Sequence, residues 1–232
     1  MQSTFLEDLA RYMDISCVRA QSTLDEVEEM AQAAVRYPFA AVFAMPCFTG
    51  YLVERLSTLG SQTTAGGVSG FPSGGESTSV KVMEAREGIN LGCREIDMVM
   101  AVGAFKSGRY DYVREDIRRV ALEIGPIPLK VILETSWLND EEVARASLIA
   151  VEAGASYIKT GTGWGPVPAS AHTVALIKSV VGDSAKIKAA GGIRSLEALL
   201  ELKKAGCSRF GLGTSAALNI LEKAKETSSI HF

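Results

Sequence analysis

An ammonium group is out of place in a β-strand that reads as buried, so the lysines that occupy such strands are the first residues to consider. Lys159 stands in Ser156-Tyr157-Ile158-Lys159-Thr160-Gly161, where a β-rich run gives way to a glycine loop. Lys188 stands in Lys186-Ile187-Lys188-Ala189-Ala190-Gly191 on the next such run. Two ammonium groups sharing one pocket disfavour each other's protonation, and partial desolvation acts in the same direction. One of them would then be partly neutral near neutral pH and able to attack a carbonyl carbon, giving a Schiff base. Asp97, in Glu95-Ile96-Asp97-Met98-Val99, supplies a carboxylate that could relay protons or hold a catalytic water. Lys130, in Leu129-Lys130-Val131-Ile132, adds a further strand-borne charge. Any one of these charges fits a strand cap or a structural ion-pair network equally well. Two lysines, an aspartate and late glycine turns on separate strands point together to catalysis.

Those glycines have a chemistry of their own. Gly161, Gly163, Gly191, Gly192, Gly211 and Gly213 follow or end three successive late strands, where they can expose backbone N–H groups and let phosphate oxygens approach closely. Arg194 and Ser215 stand beside them as further donors. A single such turn would be an ordinary strand-to-helix connection, whereas three in succession suggest a phosphate cup. Trp137 and Trp164 each follow a strand end and are candidates to wall the mouth. His172 and His231 lie outside the strands, which disfavours a histidine base.

The elements that must hold these groups alternate along the chain. β-rich runs occur at 12–16, 40–45, 64–71, 95–102, 129–135, 157–163, 186–193 and 209–214. Helical periodicity fills 23–36, 79–92, 111–123, 140–153, 169–181 and 196–205, with Gly92, Gly154 and Gly206 at helix ends where a left-handed cap costs little. Eight βα units without a Pro- or Ser-rich linker predict a single-domain (β/α)8 TIM barrel over residues 1–232. A doubly wound sheet is the alternative, but no G-x-G-x-x-G follows the first strand. Strand C-terminal ends face the catalytic mouth of such a barrel, and its phosphate sites form late in the chain.

Composition narrows the partners. The formal net charge of −3 gives no basic field for nucleic acid, and 47% apolar with 22% charged residues describe an ordinary globular protein. The residues before Met13 mix acidic and apolar side chains, unlike a secretory signal, and no apolar run nears the roughly 18 residues of a membrane span. A cytoplasmic location is expected, without nucleic-acid or membrane partners. Cys17, Cys47, Cys93 and Cys207 show no metal-ligand spacing, so they read as reduced and structural, and no metal is expected. The end of the chain, Ser228 to Phe232, reads as a mobile tail.

At these residues the chain resembles the deoxyribose-phosphate aldolase family, class I aldolases built on a barrel. The resemblance runs through Glu95-Ile96-Asp97-Met98-Val99, Gly103-Ala104-Phe105-Lys106-Ser107-Gly108, Leu129-Lys130-Val131-Ile132-Leu133-Glu134-Thr135, Ile158-Lys159-Thr160 and Ala190-Gly191-Gly192-Ile193-Arg194. It implies Lys159 as the Schiff-base lysine, Lys188 as the neighbour that lowers its pKa, and Asp97 as the residue orienting a proton-relay water. It also implies a phosphate held by Gly163, Gly191, Gly192 and the Gly213-Thr214-Ser215 turn, with Lys130, Asp14 and Thr162 near the substrate hydroxyls. The implied reaction joins acetaldehyde to glyceraldehyde 3-phosphate, or the reverse, with no cofactor, on a small phosphorylated sugar; a homo-oligomer is left open.

The chain departs from the family at the mouth. Lys-Thr-Ser-Thr-Gly is Lys159-Thr160-Gly161-Thr162-Gly163 here, and the first-strand motif reads Asp14-Ile15-Ser16. Where many members carry Cys-Val-Asn-Pro this chain has Phe43-Ala44-Met45-Pro46, and Ser73-Gly74-Gly75-Glu76 follows Gly70-Phe71-Pro72. These changes bear on substrate identity more than on reaction class. Two rivals stay open: another barrel lyase or isomerase on a sugar phosphate, using Asp97 and a lysine without an imine, and a catalytically weak phosphosugar-binding protein.

Overall fold

The computed structural model describes residues 2–226; His231 and the expected tail lie outside them. Eight strands form a closed, all-parallel barrel in chain order. They are β1 (Met13–Cys17), β2 (Ala41–Ala44), β3 (Thr64–Ser69), β4 (Glu95–Val99), β5 (Leu129–Ile132), β6 (Tyr157–Lys159), β7 (Lys186–Ala190) and β8 (Arg209–Gly213). β8 pairs with β1, setting Asp14 opposite Gly211, and so completes the ring.

Every crossover carries a helix, and each of the six helices expected from periodicity is present within two residues at either end. The helix Leu24–Arg36 begins at a capping box, with the Thr23 hydroxyl accepting from the Glu26 N–H and the Glu26 carboxylate accepting from the Thr23 N–H. Asn139 and Glu142 repeat the device on Asp140–Glu152. Gly92, Gly154 and Gly206 all adopt positive φ, as helix-ending glycines do. The sixth strand is shorter than expected: it stops at Lys159, because Thr160 to Gly165 turn away to form the mouth.

Strand side chains alternate, and the alternation sorts the molecule into two interiors. Ile15, Val42, Ile96, Met98, Val131, Ile158, Ile187 and Phe210 face the helices and join the main core with residues such as Leu52, Val113, Ile177 and Leu221. The other parity points into the barrel. Barrel interiors of this kind are mainly branched apolar, yet here Asp14, Asp97, Lys130, Lys159 and Lys188 fill much of the space, with Phe43 and Val68 in a small separate apolar cluster.

Candidate active site

β6 ends on Lys159, and in the β6–β7 ladder Lys159 stands directly opposite Lys188. The ammonium groups of both lysines therefore enter the barrel at one level, and Asp97 on β4 meets them from across. Lys159 Nζ and Lys188 Nζ each donate to Asp97 Oδ2 at 2.7 Å. Lys188 also pairs with Asp14 at 2.6 Å. Below them Lys130 pairs with Asp14 at 3.3 Å, with Asp97 at 3.2 Å and, more closely, with Glu95. Arg209 pairs with Asp14 at 2.6 Å and with Glu95 at 3.5 Å.

The charges in this network do not balance. Three carboxylates, Asp14, Glu95 and Asp97, face four cations, Lys130, Lys159, Lys188 and Arg209. Neutrality is reached when one cation gives up its proton. Burial brings Lys159 down, Asp97 opposes it and Lys188 adds to the fall, leaving its pKa lowered to about 8. Lys130 is also buried, but Asp14, Asp97 and Glu95 overcome the burial and raise its pKa. Asp97 would be pushed up by burial, and Lys130, Lys159 and Lys188 together bring it well below the usual carboxylate range. Asp14 is held down in the same manner by Lys130, Lys188 and Arg209. Lys159 is thus the proton donor of the group, and burial contributes more to this than its neighbour Lys188.

A cavity of about 670 Å³ opens over the network, and Lys159, Lys188, Asp97 and Asp14 all reach it. Gly163, Gly191, Gly192, Gly213 and Ser215 line its side above β7 and β8, with Thr162 and Arg194. Gly163, Gly191 and Gly192 all have positive φ, and a Cβ on Gly191 would lie 3.5 Å from the Gly163 Cα, so the two glycine turns rest against each other. Helix Thr214–Glu226 begins at the end of β8, and Ser215 and Ala216 in its first turn line the cavity. Three residues expected at the site do not line the cavity. Lys130 is fully buried beneath its floor with its donors committed to carboxylates, and Thr214 lies beside Cys17, its hydroxyl 3.7 Å from the thiol sulfur. Gly161 likewise stays off the wall; a Cβ there would sit 2.8 Å from Glu134 Oε1.

Residues not singled out from sequence complete the site. Glu134, in the left-handed region at φ 56°, accepts from the Thr162 N–H and hydroxyl and so holds the loop after β6. Glu95 and Arg209 form the lower tier of the network; both are charges within strands, the same signal that marked Asp97. The Phe43 ring lies 4.8 Å from Lys130 Nζ and 4.4 Å from Lys188 Nζ. Arg19, after β1, joins Arg194 on the rim. Trp164 walls the cavity as expected, whereas Trp137 stands outside it. His172 is exposed and paired with Asp140 at 2.8 Å. Among the described residues no helix is long and apolar enough to cross a membrane.

No protein-family model matches the chain. The deoxyribose-phosphate aldolase of Sinorhizobium medicae is 45% identical over 216 residues, covering 93% of this chain and 87% of that protein. A solved structure described as QR15, an aldolase, superimposes with a TM-score of 0.87 at 36% identity, covering 93% of this chain and 95% of the other. The tetrameric deoxyribose phosphate aldolase of Aeropyrum pernix superimposes with a TM-score of 0.85 at 28% identity, covering 96% and 93%. With sequence, barrel and lysine pair in agreement, the chain belongs to the deoxyribose-phosphate aldolase family.

Proposed function

We propose that the cavity cleaves 2-deoxy-D-ribose 5-phosphate to acetaldehyde and D-glyceraldehyde 3-phosphate, and catalyses the reverse condensation, through an imine on Lys159. The observation that carries this is a mouth-facing lysine sharing one buried carboxylate with a second lysine, in a network with one cation in excess, where burial and Lys188 lower the pKa of Lys159 to about 8. The neutral amine adds to C1 of the open-chain sugar, and loss of water gives the protonated imine. The C3 hydroxyl then gives its proton to a relay that ends on ionised Asp97. The C2–C3 bond breaks, and its electron pair flows into the iminium to form an enamine. Glyceraldehyde 3-phosphate leaves. C2 takes a proton back through the same relay, and water hydrolyses the imine to release acetaldehyde and free Lys159. The iminium is the electron sink, so the step calls for neither metal nor organic cofactor.

Lys188 keeps a positive charge beside the amine, Asp14 holds Lys188 in place, and the N–H groups of Gly163, Gly191, Gly192 and the Gly213–Ser215 turn receive the phosphate, with Arg194 at the rim. Thr162 faces the sugar hydroxyls. The same reading takes the chain as a cytoplasmic enzyme that self-associates, as its tetrameric Aeropyrum relative does. Incubation with acetaldehyde and borohydride should place an ethyl group on Lys159, located by mass spectrometry of peptides, and Lys159→Met should remove it. Labelling confined to surface lysines would end the imine reading.

A further inference from the structure

Trp164 belongs to the loop after β6, yet its side chain makes its contacts elsewhere on the rim. Its indole Nε1–H donates to the Val18 carbonyl at 2.9 Å, and its ring meets Phe71 edge to face, with centroids 6.3 Å apart and planes at 86°. Val18 follows β1 and Phe71 follows β3. In the closed barrel β6 is flanked only by β5 and β7, so a side chain from its loop that touches the ends of β1 and β3 passes over the mouth. The backbone beneath it is held. The Trp164 N–H donates to the Thr162 hydroxyl at 3.0 Å, and Glu134 fixes Thr162 in turn. One residue later, a Cβ on Gly165 would fall 2.4 Å from Ser136 Oγ, so the loop is packed down against the turn after β5.

A chord from β6 to β1 divides the opening. On one side are the turns of β7 and β8, lined by Gly191, Gly192, Gly213 and Ser215. On the other are the ends of β2 and β3, lined by Phe43, Val68 and Phe71. The first lobe offers N–H donors and the second offers rings and a valine. The apolar lobe is also full at its floor, because the Phe43 ring occupies the space that a Cβ on Gly66 would need, 2.1 Å away.

We propose that Trp164 is a specificity-determining residue, a strap whose indole roofs the apolar lobe and so limits the carbonyl donor to acetaldehyde. The inference rests on the imine reading of Lys159. With the phosphate among the β7 and β8 turns and the carbonyl carbon on Lys159, the sugar chain runs through the first lobe. A carbon branching from the carbonyl carbon or its α-carbon turns away from that chain, into the space between the Phe43 floor and the Phe71–Trp164 roof. Excluding or admitting one methylene in an apolar pocket is worth about 10- to 200-fold in kcat/KM.

The test compares wild type, Trp164→Phe and Trp164→Ala in the condensation of glyceraldehyde 3-phosphate with acetaldehyde or propanal, alongside borohydride trapping of acetaldehyde. The propanal-to-acetaldehyde ratio of kcat/KM should rise about tenfold in Trp164→Ala. Trp164→Phe, which keeps a ring but loses the N–H donor to Val18, should rise less. Acetaldehyde should still label Lys159 in all three. A Trp164→Ala enzyme that is labelled normally but keeps the wild-type ratio overturns the strap. Absence of label on wild-type Lys159 would instead overturn the imine reading, and the strap with it. Should Trp164→Ala not fold, Phe71→Ala removes the other half of the roof and must raise the ratio for the proposal to stand.

Discussion

Two buried lysine–aspartate pairs in this molecule share a length of 2.7 Å and differ in nearly everything else. Lys81, on the helix Thr78–Leu91, meets Asp116 on Tyr110–Ile124 with both side chains fully excluded from solvent. The pair is closed: Lys81 also donates to the Val99 carbonyl at 3.1 Å, Asp116 also accepts from the Thr78 hydroxyl at 2.7 Å, and the lysine stem packs on Gly70. Lys159 shares Asp97 with Lys188 and Lys130, stands in a network with one cation too many, and reaches a cavity. A buried ammonium with its own carboxylate is a strut between two helices and the end of a strand. One that must compete for a carboxylate, at the edge of solvent, is a latent amine. Ion-pair distance therefore does not identify a nucleophile; the charge balance around it and its access do.

The same substitution at the two sites should break different properties. Lys159→Met should lower turnover by at least about 10⁴-fold, since the covalent path carries most of an acceleration of this kind, while leaving thermal stability intact or raised. Lys81→Met strands a buried carboxylate and should cost about 3–5 kcal/mol, a fall in Tm of roughly 6–20 °C, with activity per folded molecule preserved. Calorimetry and active-site titration by borohydride labelling separate the outcomes. A Lys81→Met enzyme that is stable but inactive would erase the distinction.

A smaller effect tests the charge balance directly. The attacking form of Lys159 is the neutral amine, so the rising limb of kcat/KM against pH should lie near its lowered pKa of about 8. Removing the Lys188 charge withdraws one of the contributions that lower this pKa and leaves Asp97, which raises it, less shared. The limb should therefore move to higher pH in Lys188→Leu, with activity at neutral pH down about tenfold per unit of movement and partly recovered in alkali. Lys188→Arg keeps a charge there and should keep the limb near its place. A Lys188→Leu enzyme equally impaired at every pH would mean that Lys188 does something other than tune its neighbour.

The smallest expected change concerns the phosphate turns. Gly192 is a poor position for testing them: it has φ 74°, and a Cβ there would fall 2.3 Å from the Pro168 Cβ, so a bulky residue damages the turn whatever binds. Gly213 has open space where its Cβ would stand, and its φ lies outside the left-handed region. Gly213→Val should leave Tm unchanged and raise KM for 2-deoxyribose 5-phosphate by about tenfold, with unphosphorylated 2-deoxyribose far less affected. Equal losses on both sugars would show that the β8 turn does not receive the phosphate.

What could be read from the sequence follows from where each signal is rare. Lys159, Lys188 and Asp97 stood out because charge is unusual inside a β-rich run, and the strands were legible because such runs recur between amphipathic helices. Glu95 and Arg209 carried the same signal at strand beginnings, where a charge passes for an edge residue, and only their pairing with Lys130 and Asp14 draws them inward. Lys81 and Asp116 were invisible, since charges on helices are ordinary and helical spacing does not say which face another helix covers. Trp164 could be placed at the mouth, but its hydrogen bond to Val18 joins residues 146 positions apart. Glu134 left no local trace of its left-handed backbone, because that conformation is favoured by the loop it supports.

The ladder between β6 and its neighbours puts Lys159 opposite Ile132 on one side and Lys188 on the other. Inward and outward positions alternate along these few residues, so the amine faces the cavity by virtue of the main-chain frame and not of anything its side chain selects. Deleting one residue within β6 would exchange the parity and turn the lysine out among the helices, although every residue of the constellation would still be encoded. A residue added at the exposed Gly182–Asp183 turn, at the opposite end of the barrel, would be absorbed before β7 begins. Descent in such a barrel can therefore change residues around the lysines, as at Phe43 and Gly161, while the reading frame of its strands must be inherited intact.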